Sequence, residues 1–384
     1  MGTSDSAFWG SSDDAPTPIG IAPPSEPSQL VGPAPVPVAP ALESERDSAH
    51  GEALDDNSAD PEPSLAAPAF RADYLLRARA QAPTRGWRLG LHRATGGLVN
   101  LGPSPAEIAE RELETRVKAP VAGCRRIAVI SRKGGVGKTT TTLMLGHTFA
   151  AARGDRVVAL DGNPDAGSLG YRVPRQSPAT VTDLLGDAPS VSRYAVVRSY
   201  TSQAPSRLEV VASDDDPRIT QALDEHDYAV VVEALERHYN LILCDTGTGI
   251  LDSATRGILS LADQLVVVMA PSLDGARAAS LTLDWLDEHG HGSLTTGAVA
   301  VINAVRSRTG LIELDRVAEH FALRCRAVVE IPWDAQLEAG AESALDDLRR
   351  PTRDAYLGLA AAVADGFGVP AQMRRPSTTV SEGS

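Results

Sequence analysis

Lys133-Gly134-Gly135-Val136-Gly137-Lys138-Thr139-Thr140 follows the apolar run Arg126 to Ser131 and opens a helix-length segment reaching Ala152. A strand, a glycine-rich turn and a helix start, in that order, let backbone N–H groups turn inward around phosphate oxygens, and the helix dipole adds to the attraction. In this reading Gly134, Gly135, Val136, Gly137 and Thr140 belong to a cradle for ATP. Lys138 meets the β- and γ-phosphates, and the Thr139 hydroxyl ligates Mg²⁺. Lysine usage supports the assignment. Of 36 basic residues only Lys118, Lys133 and Lys138 are lysine, and two of these three stand in one eight-residue loop. A compact ammonium suits a phosphate better there than a bulkier guanidinium does.

Downstream of the loop, short apolar runs alternate with helical stretches. Arg126 to Ser131, Arg156 to Asp161, Leu208 to Ala212, Leu241 to Asp245, Gln264 to Ala270, Ala298 to Asn303 and Ala327 to Ile331 read as buried strands. Helices are expected over Lys138 to Ala152, Tyr228 to His238, Asp252 to Leu261, Asp274 to Glu288, Leu311 to Phe321 and Thr352 to Phe367. Strands without alternation, separated by helices, predict an α/β fold with a mostly parallel central sheet covered on both faces. In such a sheet the ligand crevice lies beyond the carboxyl ends of the strands, where Ser131, Asp161, Asp245 and Asn303 fall.

Composition divides the chain further. Residues 1–69 carry twelve acids against the single base Arg46, so most of the formal net charge of −14 belongs to them. That segment is rich in proline, as from Pro33 to Pro40, and poor in large apolar residues, the composition of a disordered tail. Residues 70–122 read as a basic and helical extension, with Arg71, Arg77, Arg79, Arg85, Arg88 and Arg93 around Tyr74 and Trp87, then a helix from Ser104 to Val117. The ATPase domain is expected over 123–368 and a second tail over 369–384. Cys124, Cys244 and Cys325 have no metal-ligand spacing, no leader pattern opens the chain, and no apolar run is long enough to span a bilayer. These features predict a cytoplasmic protein that reaches a membrane only peripherally, through a partner.

The additional lysine, Lys133, together with Asp161-Gly162-Asn163-Pro164-Asp165, Cys244-Asp245-Thr246-Gly247-Thr248-Gly249 and Val301-Ile302-Asn303, resembles the deviant Walker A ATPases, the group that contains MinD and ParA. Within that group the chain is similar to actinobacterial MinD-like proteins of EspI type, associated with type VII secretion. The resemblance implies a homodimer held together by ATP, with Lys133 reaching the partner subunit's phosphates, and a slow ATPase that acts as a switch. Asp245 matches the Walker B carboxylate near Mg²⁺; as a strand-end residue it also suits a helix cap. Asn303 matches an adenine-contacting Asn or is a turn residue, and Pro332 lies where the group lines the adenine pocket.

One position departs from the pattern. Relatives carry an acid where this chain has Asn163, and an amide cannot act as a general base. Asp161 and Asp165 are the alternative acids, with Asp161 the first candidate; its other reading is a buried cap of the following turn. The function expected is an ATP-dependent dimeric switch serving a larger assembly such as a type VII secretion machine. The alternative is a partition ATPase whose ATP-bound dimer binds DNA non-specifically, in which case the arginines from Arg71 to Arg93, Arg306 and Arg308 face phosphates. A ligase or kinase on the same fold lacks a second cluster of titratable residues for its substrate.

Overall fold

The computed structural model describes residues 82–163, 167–220, 223–249, 252–306 and 312–368. Eight strands form one sheet: β1 (Arg125–Ile130), β2 (Val157–Gly162), β3 (Ser202–Gln203), β4 (Glu209–Val211), β5 (Leu241–Thr246), β6 (Gln264–Met269), β7 (Val299–Val305) and β8 (Ala327–Pro332). Their order is β3-β4-β2-β5-β1-β6-β7-β8. All neighbours run parallel except β3, which pairs antiparallel with β4 through Ser202 opposite Val210 and Gln203 opposite Glu209. The parallel sheet meets the sequence expectation. The edge strand β3 was not expected, because two polar residues have no periodicity to read.

β1 sits between β5 and β6, so the chain winds to one side of it and then to the other, and the crevice of a doubly wound sheet opens at its carboxyl end. The principal helices are α1 (Gly86–Ala94), α2 (Pro105–Val117), α3 (Lys138–Ala152), α4 (Glu225–Glu236), α5 (Ser253–Leu261), α6 (Leu273–Glu288), α7 (Leu314–Ala322) and α8 (Arg350–Ala364). α3 is buried almost all round, from Thr140 to Ala150. Leu143, Met144, Leu145 and Phe149 have at most 1% of their surface exposed. Each contributes roughly 1.5–3 kcal/mol by leaving water, so the helix that begins at the phosphate loop is fixed by the core on the loop's far side.

The region ahead of β1 is ordered by local chemistry. Ser104 and Glu107 form a reciprocal capping box at the start of α2, with Pro105 at the first helical position. Glu107 also accepts the backbone N–H groups of Thr84 and Arg85, at 2.8 and 2.9 Å, tying the preceding segment to α2. Arg116 pairs in a fork with Asp365 just past α8, and Arg153 donates to the Val117 carbonyl at 2.6 Å. α2 therefore rests on the body formed by the sheet and its helices. α1, which contains Trp87 with 69% of its surface exposed, buries no residue. Arg71, Arg77, Arg79, Asp165, Arg308 and both tails lie outside the described residues. No helix among the described residues is long and apolar enough to cross a membrane.

Candidate functional site

At the carboxyl end of β1 the chain turns through Lys133–Gly137 into α3 in a conformation that needs glycine. Gly135 has φ +72° and Gly137, the residue ahead of α3, has φ +94°. A Cβ on Gly137 would stand 2.1 Å from Asn303 Nδ2, so the close approach of β7 to the loop also demands glycine there. Asn303 Nδ2 donates to the Val136 carbonyl at 2.8 Å, clamping the loop from β7, two strands away from β1. This Asn reaches the loop from an irregular strand end. The β7–β8 register shifts between Ile302 and Val305, and Ala304 takes a left-handed φ of 58°. The backbone strain at Ala304, about 1–2 kcal/mol, is held in place by the paired strand on either side.

The loop and its neighbours enclose a cavity of ≈ 550 Å³. It is lined by the whole loop from Gly134 to Thr140, by Asn303, Pro332, Trp333 and Leu337, and by Asn163, Ser168 and Arg172. Trp333 carries Arg306 over its ring at 4.5 Å and donates from Nε1 to Glu338 at 3.1 Å. The phosphate-loop residues, Asn303 and Pro332 thus line one cavity. Lys133 does not line the cavity. Its side chain is about half exposed, with Nζ 3.9 Å from Asp274 Oδ2 at the start of α6.

Asp161 and Asp245 are the next-to-last residues of the adjacent parallel strands β2 and β5, in register with one another. Both are buried, and burial raises both carboxyls above their ordinary range. For Asp161 the charge of Asp245 adds to the effect; for Asp245 the Thr139 hydroxyl and the Lys138 ammonium oppose it. Asp245 Oδ1 accepts from Thr142 at 3.3 Å, while Oδ2 is buried without a hydrogen-bond partner of its own. An uncommitted carboxylate oxygen beside Thr139 fits Mg²⁺, which binds through one or two protein oxygens and takes the rest from phosphates and water. Mg²⁺ supplies charge neutralisation at the phosphates when bound with ATP.

Asp161 is committed otherwise. Its carboxylate accepts the backbone N–H groups of Asn163 at 3.3 Å and Leu169 at 2.9 Å, and Gly167 packs so tightly on it that a Cβ would stand 1.9 Å from Oδ1. No part of its surface is exposed. A carboxylate turned into the loop backbone shapes that loop and does not face an attacking water, which corrects the preference for Asp161 as the hydrolytic acid. Sequence reasoning also missed Arg172, which donates from Nη1 to the Thr140 hydroxyl at 2.8 Å across 32 residues. One arginine beyond a turn gives no signal until the fold brings it back.

The parallel sheet, the glycine loop Lys133–Gly137 and the helix that opens at Lys138 together form a phosphate-loop α/β fold. Residues 124–294 match the family model described as "AAA domain". The chain is 40% identical over 285 residues to the ESX-1 secretion-associated protein EspI of Mycobacterium tuberculosis H37Rv, an alignment covering 74% of this chain and 42% of that protein. It thus spans less than half the length of that relative. It is 26% identical over 195 residues to the septum site-determining protein MinD of Synechocystis, covering 50% of this chain and 68% of the relative. Among solved structures, a ParA family ATPase from Chlorobium tepidum superposes with a TM-score of 0.53 at 17% identity, covering 62% of this chain and 98% of that one. That likeness establishes the shared fold.

Proposed function

We propose that the protein is an ATP-dependent dimeric switch in which nucleotide bridges two copies of the chain. The observation that carries this reading is the position of Lys133. It lies in the phosphate loop yet outside the cavity that its neighbours line, about half exposed beside Asp274. A cation at the rim of one site is placed to neutralise phosphates in a facing site, and it does so only when both chains are present. ATP then stabilises the dimer by the difference in its contacts between the two states.

Within one chain, the loop and Lys138 bind the triphosphate, Thr139 and Asp245 hold Mg²⁺, and Asn303, Pro332 and Trp333 border the space left for adenine. Asn163 faces the cavity where an acid would orient water, so ATP hydrolysis is slow and the bound state persists. Similarity to EspI, whose name ties that protein to ESX-1 secretion, supports a role beside a type VII secretion machine in the cytoplasm, with a protein partner reading the dimer.

The test is solution mass at several protein concentrations, with ADP, with ATP, and with ATP for Lys133→Ala. A dimer that appears with ATP alone and disappears in Lys133→Ala, while nucleotide still binds, supports the switch. Mass that ignores nucleotide overturns it. DNA binding that requires ATP and falls steeply with salt would instead favour a partition ATPase.

A further inference from the structure

We propose that Arg172 is a phosphate-binding residue of the nucleotide site, its guanidinium reaching the α- and β-phosphates from the same chain that supplies the phosphate loop. This inference rests on the nucleotide-site reading above and adds a cation to it that the motifs do not contain.

The first argument is position. Arg172 Nη1 is 2.8 Å from the hydroxyl of Thr140, two residues beyond Lys138 and in the first turn of α3. The N–H groups of this loop and helix start face the α- and β-phosphates in a phosphate loop. Arg172 also lines the cavity itself, with Nη2 3.7 Å from where a Cβ on Gly340 would stand.

The second argument is unspent donor capacity. A guanidinium has five N–H donors in a planar fork. Nε is buried without a partner, and among the described residues no carboxylate lies within ion-pair distance of Arg172. Burial also works against its charge, with Asp245 and Asp161 the nearby carboxylates that favour it. A half-buried cation with donors left over, facing the cavity beside the phosphate loop, is arranged for an anion, and planar bidentate contact with phosphate is the chemistry arginine does best.

The third argument is that the fold builds this placement. Arg172 ends the short 3-10 turn Leu169–Arg172. Leu169 is fully buried and its N–H is held by Asp161 Oδ2. Gly170 packs against Ala212, where a Cβ would stand 2.6 Å from the Ala212 Cβ. The turn is thus anchored to β2 and to the residue just past β4 immediately before it presents Arg172. Asp161 acts here as a positioning residue, which gives its buried carboxylate a function other than catalysis.

Because the α- and β-phosphates are common to both nucleotides, Arg172 strengthens ADP and ATP binding alike, in contrast to the bridging role of Lys133. Calorimetric titration of the full chain with Mg·ADP and with a non-hydrolysable Mg·ATP analogue tests this, on wild type, Arg172→Ala and Arg172→Lys, alongside melting of the nucleotide-free proteins. Arg172→Ala should weaken both nucleotides by the same factor, roughly 10- to 100-fold as for a lost charge-assisted contact. Arg172→Lys, which keeps the charge and loses the fork, should recover part of that loss, and neither variant should melt more than a few degrees below wild type without nucleotide. Unchanged affinity in Arg172→Ala, or a lowered melting point with unchanged affinity, overturns the assignment. So does a loss confined to the ATP analogue, which would place the contact at the γ-phosphate or at the dimer. If Arg172→Ala does not fold, Arg172→Lys decides alone: wild-type affinity for ADP refutes the fork contact. A wild-type protein that binds neither nucleotide overturns the site itself, and this inference with it.

Discussion

Replacing the loop glycines one at a time by alanine separates two reasons why a phosphate loop needs glycine. Gly134 has no positive φ, and its added Cβ would meet only Thr248 Cγ2, at 3.9 Å, so alanine there should change the stability of the nucleotide-free protein by less than about 0.5 kcal/mol. At Gly135, φ is +72° but no atom lies within 4 Å of the new Cβ, leaving backbone strain of about 1–2 kcal/mol. At Gly137 the same strain applies at φ +94°, and the Cβ would also fall 2.1 Å from Asn303 Nδ2. Asn303 must then swing away from the Val136 carbonyl, leaving a buried acceptor unpaired at a further cost of about 1–3 kcal/mol. The expected order of destabilisation is Gly137→Ala, about 2–5 kcal/mol, then Gly135→Ala, then Gly134→Ala. Urea unfolding without nucleotide, at constant slope, measures it. In an Asn303→Ala background the Gly137→Ala penalty should fall toward that of Gly135→Ala, because the clashing amide is gone. Equal penalties at Gly135 and Gly137 in the wild-type background would refute the role given to the Asn303 clamp.

The buried pair Asp161 and Asp245 makes a pH prediction of definite sign. Raised carboxyl pKa values stabilise the fold below the ordinary carboxylate range near 4 and lose that contribution as pH rises through the folded values toward neutrality. Asp245→Asn should therefore melt higher than wild type at pH 8 without nucleotide, with the gap closing toward pH 4, while losing the stabilisation given by Mg·ATP; a gap independent of pH would contradict the linkage. Asn163→Asp restores an acid facing the cavity and should raise steady-state ATP turnover by at least about tenfold, within the usual range for a positioned base; a phosphate-release assay showing no gain would place the slow step elsewhere. Asn303→Ala frees the Val136 carbonyl and should cost about 1–3 kcal/mol in unfolding free energy together with a loss of ATP affinity. Retained stability would show that the clamp is dispensable.

The amino-acid sequence alone determined the strand-loop-helix unit around Lys133–Thr140, the α/β alternation and most element positions. These follow from local rules: apolar runs too uniform for a one-sided strand, glycine where the backbone must reverse, and a helix from Lys138 that ends at Ala152 as expected. It also placed Asp245 and Asn303 near the carboxyl ends of their strands, which run on to Thr246 and Val305, since the last residue of an apolar run marks a strand's end to within a residue or two. The tertiary structure decided what those residues touch. Asp161 and Asp245 read alike in one dimension, yet one carboxylate is taken up by the N–H groups of Asn163 and Leu169 while the other keeps Oδ2 free beside Thr139. The pairing of Asn303 with Val136 spans 167 residues and depends on the left-handed kink at Ala304. Arg172 reaches Thr140 only because Leu169 and Gly170 anchor its turn. Periodicity and propensity act within a few residues, whereas the direction of a side chain at the site is set by packing among strands far apart in the chain.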